Sequence, residues 1–277
     1  MNPGAGARAL PRITVIIAVR NGAKTLQRAL DSVFEQTYAD IELVVQDGAS
    51  TDGTQAILER NTARIAYWRS EPDRGIYQAW NKALDHVTGD WICFLGADDR
   101  FRTPDVMVRV AAALAEDEMR HRIAYGDMDK ILADGSIRHR VGAPWDDARR
   151  ARFRRGFMIP HPSTFHHRSL FDMAGRFDET FVIAGDFEFL LRELLDHDPL
   201  FIPVVVTDMT AGGLSDRPSS AYRVPWEVHR ARYLHSLVPT PPWRSRRLAR
   251  QMASIWIARN IRPRLAAVRR LAARRSR

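Results

Sequence analysis

The feature that most constrains the fold of this chain is a regular alternation of short apolar runs with segments of helical periodicity. The apolar runs are rich in β-branched residues, which is typical of buried strands. The predicted strands cover residues 13–19, 41–45, 65–68 and 91–95, and the predicted helices between them cover residues 25–36, 54–61 and 76–87. This alternation predicts an α/β fold, with a mostly parallel central sheet and helices on both faces.

After residue 99 the pattern is less regular. Alternating residues over 123–140 predict a hairpin, because Asp134-Gly135 is a typical turn sequence. The other predicted elements are a strand over residues 201–206 and helices over residues 104–116, 186–195, 222–237 and 244–261. The sheet is therefore expected to be mixed, and the chain is expected to end in a helical extension.

The formal net charge of +9 is concentrated at the C-terminus. Residues 244–277 contain 12 arginines and no acidic residue, whereas the rest of the 277-residue chain contains 30 basic and 33 acidic residues. A nucleic-acid-binding protein would carry its basic residues along a binding face, so we expect no nucleic-acid partner. Apolar residues at helical spacing between the arginines predict an amphipathic helix that binds an anionic membrane surface. Packing of this helix on the rest of the protein is the alternative.

Three further sequence features bear on the compartment. No apolar run approaches the roughly 20 residues that a membrane-spanning helix needs, and the N-terminal residues lack the pattern of a secretory signal. Cys93 is the only cysteine, which excludes an internal disulfide. We therefore expect a cytoplasmic protein that can dock on the inner face of the cell membrane through its basic C-terminus.

Acidic residues follow three of the predicted strands. Asp47 comes after the second strand, Asp73 after the third, and Asp98-Asp99 after the fourth. In open α/β sheets, ligands bind beyond the carboxyl ends of the strands. Acids at three such ends therefore predict a shared polar pocket.

Asp98 and Asp99 are adjacent, and two neighbouring carboxylates repel each other unless a cation lies beside them. Mg²⁺ and Mn²⁺ prefer oxygen ligands and are commonly bound by one or two carboxylates together with substrate phosphates. A divalent-cation site is therefore one interpretation of the pair. The alternative is a solvated turn or a cap of the helix that follows.

Four motifs accompany the first four predicted strands. They are residues 15–21 (VIIAVRN), 46–54 (QDGASTDGT), 70–82 (SEPDRGIYQAWNK) and 89–99 (GDWICFLGADD). In this order and at this spacing they resemble the family-2 glycosyltransferases, and the resemblance extends over residues 13–206. It implies a GT-A fold and a nucleotide-sugar donor.

The resemblance also implies a domain organisation. A flexible N-terminus over residues 1–11 precedes a GT-A catalytic domain over residues 12–215. Within that domain, residues 12–100 form the nucleotide-sugar half and residues 101–215 the acceptor half. Residues 216–277 form the helical, basic C-terminal extension.

Residue by residue, the resemblance implies a donor site and a metal site. The residues expected to bind the nucleotide-sugar are Ala18, Val19, Asn21, Asp47, Asp73, Arg74, Gly75 and Asp98. Asp99 is expected to hold the divalent cation, Mn²⁺ or Mg²⁺. Asp47 would accept a hydrogen bond from the base, commonly uracil, although an Asx turn that shapes the following loop is the alternative.

The catalytic base is expected in the segment 182–192, which resembles the family segment that presents it. In many members the base is the second acid of an acidic pair, but here Gly185 occupies the first position. Asp186 is therefore the expected base, with Glu188 as the nearest substitute and a helix N-cap as the structural alternative. His161 also matches a family feature, and it would reach the metal or the diphosphate unless it is a structural residue.

Together these observations predict an inverting glycosyltransferase. The expected donor is UDP-linked, and the expected acceptor is a hydroxyl of a lipid-linked or polysaccharide intermediate of cell-surface glycan synthesis. Transfer to a polyprenyl phosphate is the alternative. A dinucleotide-dependent oxidoreductase or a sugar nucleotidyltransferase would need a glycine-rich turn after the first strand, and residues 20–24 do not provide one.

Overall fold

The computed structural model describes residues 9–132 and 134–261, and within these residues the strands form one nine-stranded sheet. In chain order the strands are β1 (Ile13–Val19), β2 (Ile41–Asp47), β3 (Tyr67–Ser70), β4 (Trp91–Gly96), β5 (Arg100–Phe101), β6 (Ile123–Ile131), β7 (Ile137–Val141), β8 (Thr164–His167) and β9 (Leu200–Thr210). The α-helices of the same part of the chain are α1 (Leu26–Phe34), α2 (Thr54–Asn61), α3 (Ile76–Ala83), α4 (Val106–Glu116), α5 (Asp147–Arg154), α6 (Ser169–Ala174), α7 (Gly185–Leu194), α8 (Ser220–Leu234) and α9 (Arg246–Asn260).

The strand order in the sheet is β3-β2-β1-β4-β8-β6-β9-β5, with β7 paired to β6 outside this path. The four N-terminal strands are all parallel, so their carboxyl ends lie along one edge. β8 is antiparallel to both β4 and β6, whereas β6 and β9 are parallel. The predicted mixed sheet is confirmed, and its parallel part carries the strand ends at which the acids were expected.

Helices cover both faces of the sheet, as predicted. In β1, the side chains of Ile13, Val15 and Ile17 pack with residues of α1, α2 and α4 on one face. The alternate residue Ile16 packs with residues of α3 and α7 on the other face. Both faces of the parallel strands are therefore buried, which explains why these strands are continuous apolar runs.

Three differences from the predicted elements bear on the site. β2 extends to Asp47 and β9 to Thr210, because Asp47 pairs with Val19 of β1 and Thr210 pairs with Ile131 of β6. The sequence pattern does not predict β8, which exists because it pairs with β4 on one side and β6 on the other.

The C-terminal extension begins with α8, which packs against α7 and is followed by α9. The hydroxyl of Ser245 caps α9 by accepting a hydrogen bond from the N–H of Leu248 at 3.2 Å. Within the described residues, no helix combines the length and apolarity needed to cross a bilayer. The predictions for residues 1–8 and 262–277 lie outside the described residues, and the domain boundaries stay predictions.

Candidate active site

Three of the predicted acids line one pocket at the carboxyl edge of the parallel strands. Its volume is about 170 Å³, and four separate segments of the chain contribute to it. The residues that line this acidic pocket are Ile76, Tyr77, Trp80, Asp98, Asp99, Ile183, Asp186, Met209, Thr210, Gly213 and Leu214. The structure therefore brings the expected metal ligand and the expected base together, although they are far apart in sequence.

The turn after β4 holds the Asp98-Asp99 pair in place. The N–H of Asp99 donates to the carbonyl of Gly96 at 3.0 Å, and a Cβ atom at Gly96 would lie 2.5 Å from the Asp99 carboxylate. The N–H of Thr210, the last residue of β9, donates to Asp99 Oδ1 at 2.9 Å. Arg28 donates to the main-chain carbonyl of Asp98 at 2.6 Å. Glycine at position 96 and the extension of β9 thus shape this turn.

The Asp99 carboxylate carries a charge that its surroundings compensate poorly. Its side chain is buried, and burial together with the neighbouring charge of Asp98 raises its pKa to about 7. The N–H of Thr210 and the charge of Arg28 act in the opposite direction but only in part. A cation beside the pair would offset the cost of keeping Asp99 ionised next to Asp98, so the two carboxylates fit a divalent ion.

No other acid or histidine completes a metal cage at this point. Among residues 9–132 and 134–261, no three His, Cys, Asp or Glu side chains are grouped so that they could hold a metal ion. Mg²⁺ commonly uses only one or two carboxylates and takes its other ligands from substrate phosphates and water. The arrangement therefore suits an ion that binds together with a diphosphate.

Asp186 lies in the first turn of α7, and its surroundings disfavour its charged form. Burial raises the pKa of Asp186 to about 6, although the N–H of Phe187 and the hydroxyl of Tyr77 stabilise the carboxylate. The Tyr77 hydroxyl lies 3.3 Å from Asp186 Oδ1, donates to the carbonyl of Ile183 and accepts from the N–H of Gly185 at 2.8 Å. A carboxylate with a raised pKa is suited to proton transfer near neutral pH.

Close packing against Tyr77 explains why residue 185 is a glycine. A Cβ atom there would lie 2.8 Å from the ring of Tyr77, which is closer than real Cβ contacts allow. A second acid at this position would therefore displace the tyrosine that touches Asp186. Glu188, the nearest substitute expected from the sequence, instead forms an ion pair with Arg192 and a hydrogen bond with His235.

A buried acid that the sequence analysis did not single out holds the segment before Asp186. Glu227 of α8 is 2% exposed, and its Oε2 accepts hydrogen bonds from three successive N–H groups. The distances are 3.2 Å from Val182, 2.8 Å from Ile183 and 2.9 Å from Ala184. Glu227 is the only acid between residues 217 and 277, and this isolation was the available signal.

The predicted nucleotide residues cluster at the ends of β1 and β2. Asp47 is fully buried, and its carboxylate accepts hydrogen bonds from Ser50 and from the hydroxyl of Ser70 at 2.6 Å. In this state Asp47 organises the following loop, and its predicted contact with a base would require that arrangement to open. Asn21 joins the same loop, because its Oδ1 accepts from the N–H of Thr51 at 2.9 Å.

The remaining predicted donor contacts surround this loop. Ala18 is half-buried, and the carbonyl of Val19 accepts from the N–H of Gly48 at 2.8 Å. The carboxylate of Asp73 lies against Gly48, where a Cβ atom would clash with it. Gly75 directly precedes α3 as its N-cap residue and has a φ of 142°, a conformation that favours glycine.

Arg74 and His161 are predicted site residues that do not line the acidic pocket. The Arg74 side chain is 77% exposed and pairs with Glu179 at 2.8 Å. His161 is buried, and its ring stacks on Trp80 and Phe94, with centroid distances of 5.1 Å and 5.6 Å. His161 does not line the pocket, and burial lowers its pKa well below the usual value. Its contact with a metal stays a prediction.

Residues 14–196 match the family model described as Glycosyl transferase family 2. An uncharacterized glycosyltransferase of Mycobacterium tuberculosis is 34% identical over 215 residues, which cover 76% of this chain and 80% of the relative. A PGL/p-HBAD biosynthesis glycosyltransferase of Mycobacterium bovis is 36% identical over 187 residues, covering 66% of this chain and 70% of that protein.

Solved structures share the fold. TarS 1–349 of S. aureus in complex with UDP-GlcNAc has a TM-score of 0.61 at 19% identity, covering 79% of this chain and 66% of that chain. The chain spans 39% of a longer TarS chain. The mannosyltransferase PcManGT of Pyrobaculum calidifontis, in complex with GDP-Man and Mn²⁺, has a TM-score of 0.60 at 22% identity, covering 96% of this chain and 80% of that chain. These likenesses confirm the predicted GT-A fold, and the match over residues 14–196 shows that the chain belongs to glycosyltransferase family 2.

Proposed function

We propose that this chain is a metal-dependent, inverting glycosyltransferase. It transfers a sugar from a UDP-linked donor to a hydroxyl of a lipid-linked or polysaccharide intermediate of cell-surface glycan synthesis. The observation that carries the proposal is the shared pocket of Asp98, Asp99 and Asp186. It combines a pair of acids suited to a cation with a separate carboxylate whose pKa is about 6.

The proposed reaction is a single displacement at the anomeric carbon. The acceptor oxygen forms a bond to that carbon, while the Asp186 carboxylate takes the proton of the attacking hydroxyl. The bond from the anomeric carbon to the diphosphate breaks, and its electron pair leaves with the nucleoside diphosphate. Attack from the opposite side inverts the configuration at the anomeric carbon.

Asp99, with Asp98 beside it, would hold the divalent cation. When bound, such an ion neutralises charge on the departing diphosphate. The protein residues have their own tasks in this scheme. Asp186 accepts the proton, and Tyr77 and Glu227 position the segment that carries Asp186.

A hydroxyl acceptor is favoured over a polyprenyl phosphate. A phosphate acceptor is already ionised at neutral pH and needs no base, whereas a hydroxyl has to lose a proton. The buried environment that raises the pKa of Asp186 is suited to that second case. One relative is named as a PGL/p-HBAD biosynthesis glycosyltransferase, which supports a biosynthetic role, and one solved neighbour is in complex with UDP-GlcNAc, which supports a UDP-linked donor.

A donor screen tests the proposal. The purified chain is incubated with UDP- and GDP-linked sugars, with Mn²⁺ or with a chelator, and with alkyl glycosides and a polyprenyl phosphate as acceptors. We expect a glycosylated alkyl glycoside by mass spectrometry, with UDP as the released nucleotide, only when the metal is present. Full activity in the chelator contradicts the metal dependence, and a product formed only on the polyprenyl phosphate contradicts the hydroxyl acceptor.

A further inference from the structure

A second and larger cavity lies away from the acidic pocket, between α8, α9 and the turn after α5. Its volume is about 900 Å³, which is within the range of sites for organic ligands. We call it the basic groove, and its lining includes Arg155, Phe157, Val224, Val228, Arg232 and Arg247. Three arginines and a set of apolar side chains therefore face the same space.

Among residues 9–132 and 134–261, no acidic side chain pairs with the arginines of the groove. No acidic residue lines it, and neither Arg155 nor Arg247 makes a side-chain hydrogen bond or ion pair with any residue in the described part of the chain. Arg232 donates only its Nε–H, to the carbonyl of Arg154 at 2.9 Å. Burial and the charges of Arg247 and Arg155 lower the pKa of Arg232. Three like charges kept together in this way are stabilised when an anion binds.

The apolar residues of the lining indicate which class of anion fits the groove. Val224 and Val228 are only half-buried, and the ring of Phe157 is 58% exposed with the guanidinium of Arg152 over it at 4.9 Å. Inorganic phosphate would use the arginines but would leave this apolar surface in contact with water. An amphiphile with an anionic headgroup and an acyl chain would cover both parts.

The surroundings of the groove favour a membrane as the source of this ligand. α9 carries Arg246 and Arg250 outside the groove, and it exposes Ile257 to 42%. The sequence beyond α9, residues 262–277, contributes seven more arginines and no acid. Residues 262–277 carry the same sign of charge as the groove, so they are disfavoured as its occupants. An anionic bilayer attracts both the groove and these residues.

We propose that the basic groove binds the phosphate headgroup and the adjoining acyl chain of an anionic membrane phospholipid. Arg155, Arg232 and Arg247 contact the phosphate, and the valines of α8 contact the chain. This site is separate from the donor site, and it gives membrane binding by the extension a defined location.

Vesicle flotation of the full chain tests the proposal. The groove variant changes Arg155, Arg232 and Arg247 to Gln, and the control variant changes Arg244, Arg246 and Arg250 to Gln. Both variants remove three charges, and the control arginines are exposed outside the groove. With phosphatidylcholine vesicles containing phosphatidylglycerol, we expect the groove variant to lose at least about tenfold more affinity than the control.

Three outcomes would overturn the proposal. Equal losses in both variants would mean that binding is general electrostatic attraction. Inorganic phosphate that binds as tightly as the vesicles would make the groove a site for soluble anions. Unchanged binding of Val224→Asn would exclude a role for the acyl chain. Thermal unfolding and donor hydrolysis without vesicles, measured on each variant, separate a folding defect or a failure of the proposed activity from a failure of lipid binding.

Discussion

Substitution of Glu227 tests most sharply how the structure positions Asp186, the proposed catalytic base. Its carboxylate accepts from the N–H groups of Val182, Ile183 and Ala184, directly before the helix that carries Asp186. A buried N–H without an acceptor costs roughly 1–3 kcal/mol, so Glu227→Ala would cost roughly 3–9 kcal/mol if the segment did not relax. Because total stability is typically about 5–15 kcal/mol, the alanine variant threatens folding. Glu227→Gln, which keeps an uncharged acceptor, is the informative variant.

The glutamine variant should also change the pH dependence of turnover. The negative charge of Glu227 contributes to the raised pKa of Asp186, after burial as the main cause. Asp186 acts as a base only when ionised, so kcat/KM falls as the pH drops through its pKa of about 6. Removing the charge of Glu227 lowers that pKa. The acid limb of the profile should therefore move to lower pH, while plateau turnover decreases because the segment is held less firmly.

The assay is the release of nucleoside diphosphate across pH 5–8, in roughly half-unit steps, for the wild type, Glu227→Gln and the control Glu59→Gln. Glu59 is exposed on α2 and makes none of these contacts. Nucleotide affinity, measured alongside, should be unchanged in both variants. An acid limb and a plateau that both match the wild type in Glu227→Gln would refute the positioning role.

Three further predictions follow from the pocket. Gly185→Ala forces a Cβ against the ring of Tyr77, so thermal unfolding should show a loss of about 1–3 kcal/mol and kcat should fall; unchanged values would contradict this packing. Asp99→Asn removes a buried charge, so Mn²⁺ should no longer raise the unfolding temperature in the presence of UDP; a retained shift would place the ion elsewhere. Lys130→Met breaks the 2.7 Å ion pair with Asp216, which lies in the segment after β9 whose Gly213 and Leu214 line the acidic pocket. The KM for the donor should therefore rise by roughly tenfold or less with little change in kcat, and an unchanged KM would show that this pair does not matter for binding.

The parallel half of the sheet could be predicted from the sequence because its signals are local. β1 and α2 match their predicted bounds, since continuous apolar runs and helical spacing are visible within each segment. β5 and β8 could not be predicted, because they are two and four residues long and exist through pairing with β9 and with β4 and β6.

The residues of the candidate site also divide into those that could be predicted from the sequence and those that could not. The Asp98-Asp99 pair could be recognised from its position after a predicted strand, and Asp186 from a segment that resembles the family. Glu227 could not, because its role depends on three N–H groups of a segment distant in sequence. For Asp47, the hydrogen bonds from Ser50 and Ser70 match the loop-shaping alternative, and its contact with a base stays a prediction.

The central claim is that Asp186 acts as the catalytic base in the acidic pocket and takes no part in binding the nucleotide. The most direct test compares Asp186→Asn with the exposed control Asp172→Asn, by calorimetry with UDP and Mn²⁺ and by turnover of the donor identified in the screen. General-base catalysis contributes about 10²- to 10⁴-fold, so Asp186→Asn should lose turnover by that factor and bind UDP as tightly as the control. Turnover near the wild-type rate in Asp186→Asn would contradict the account.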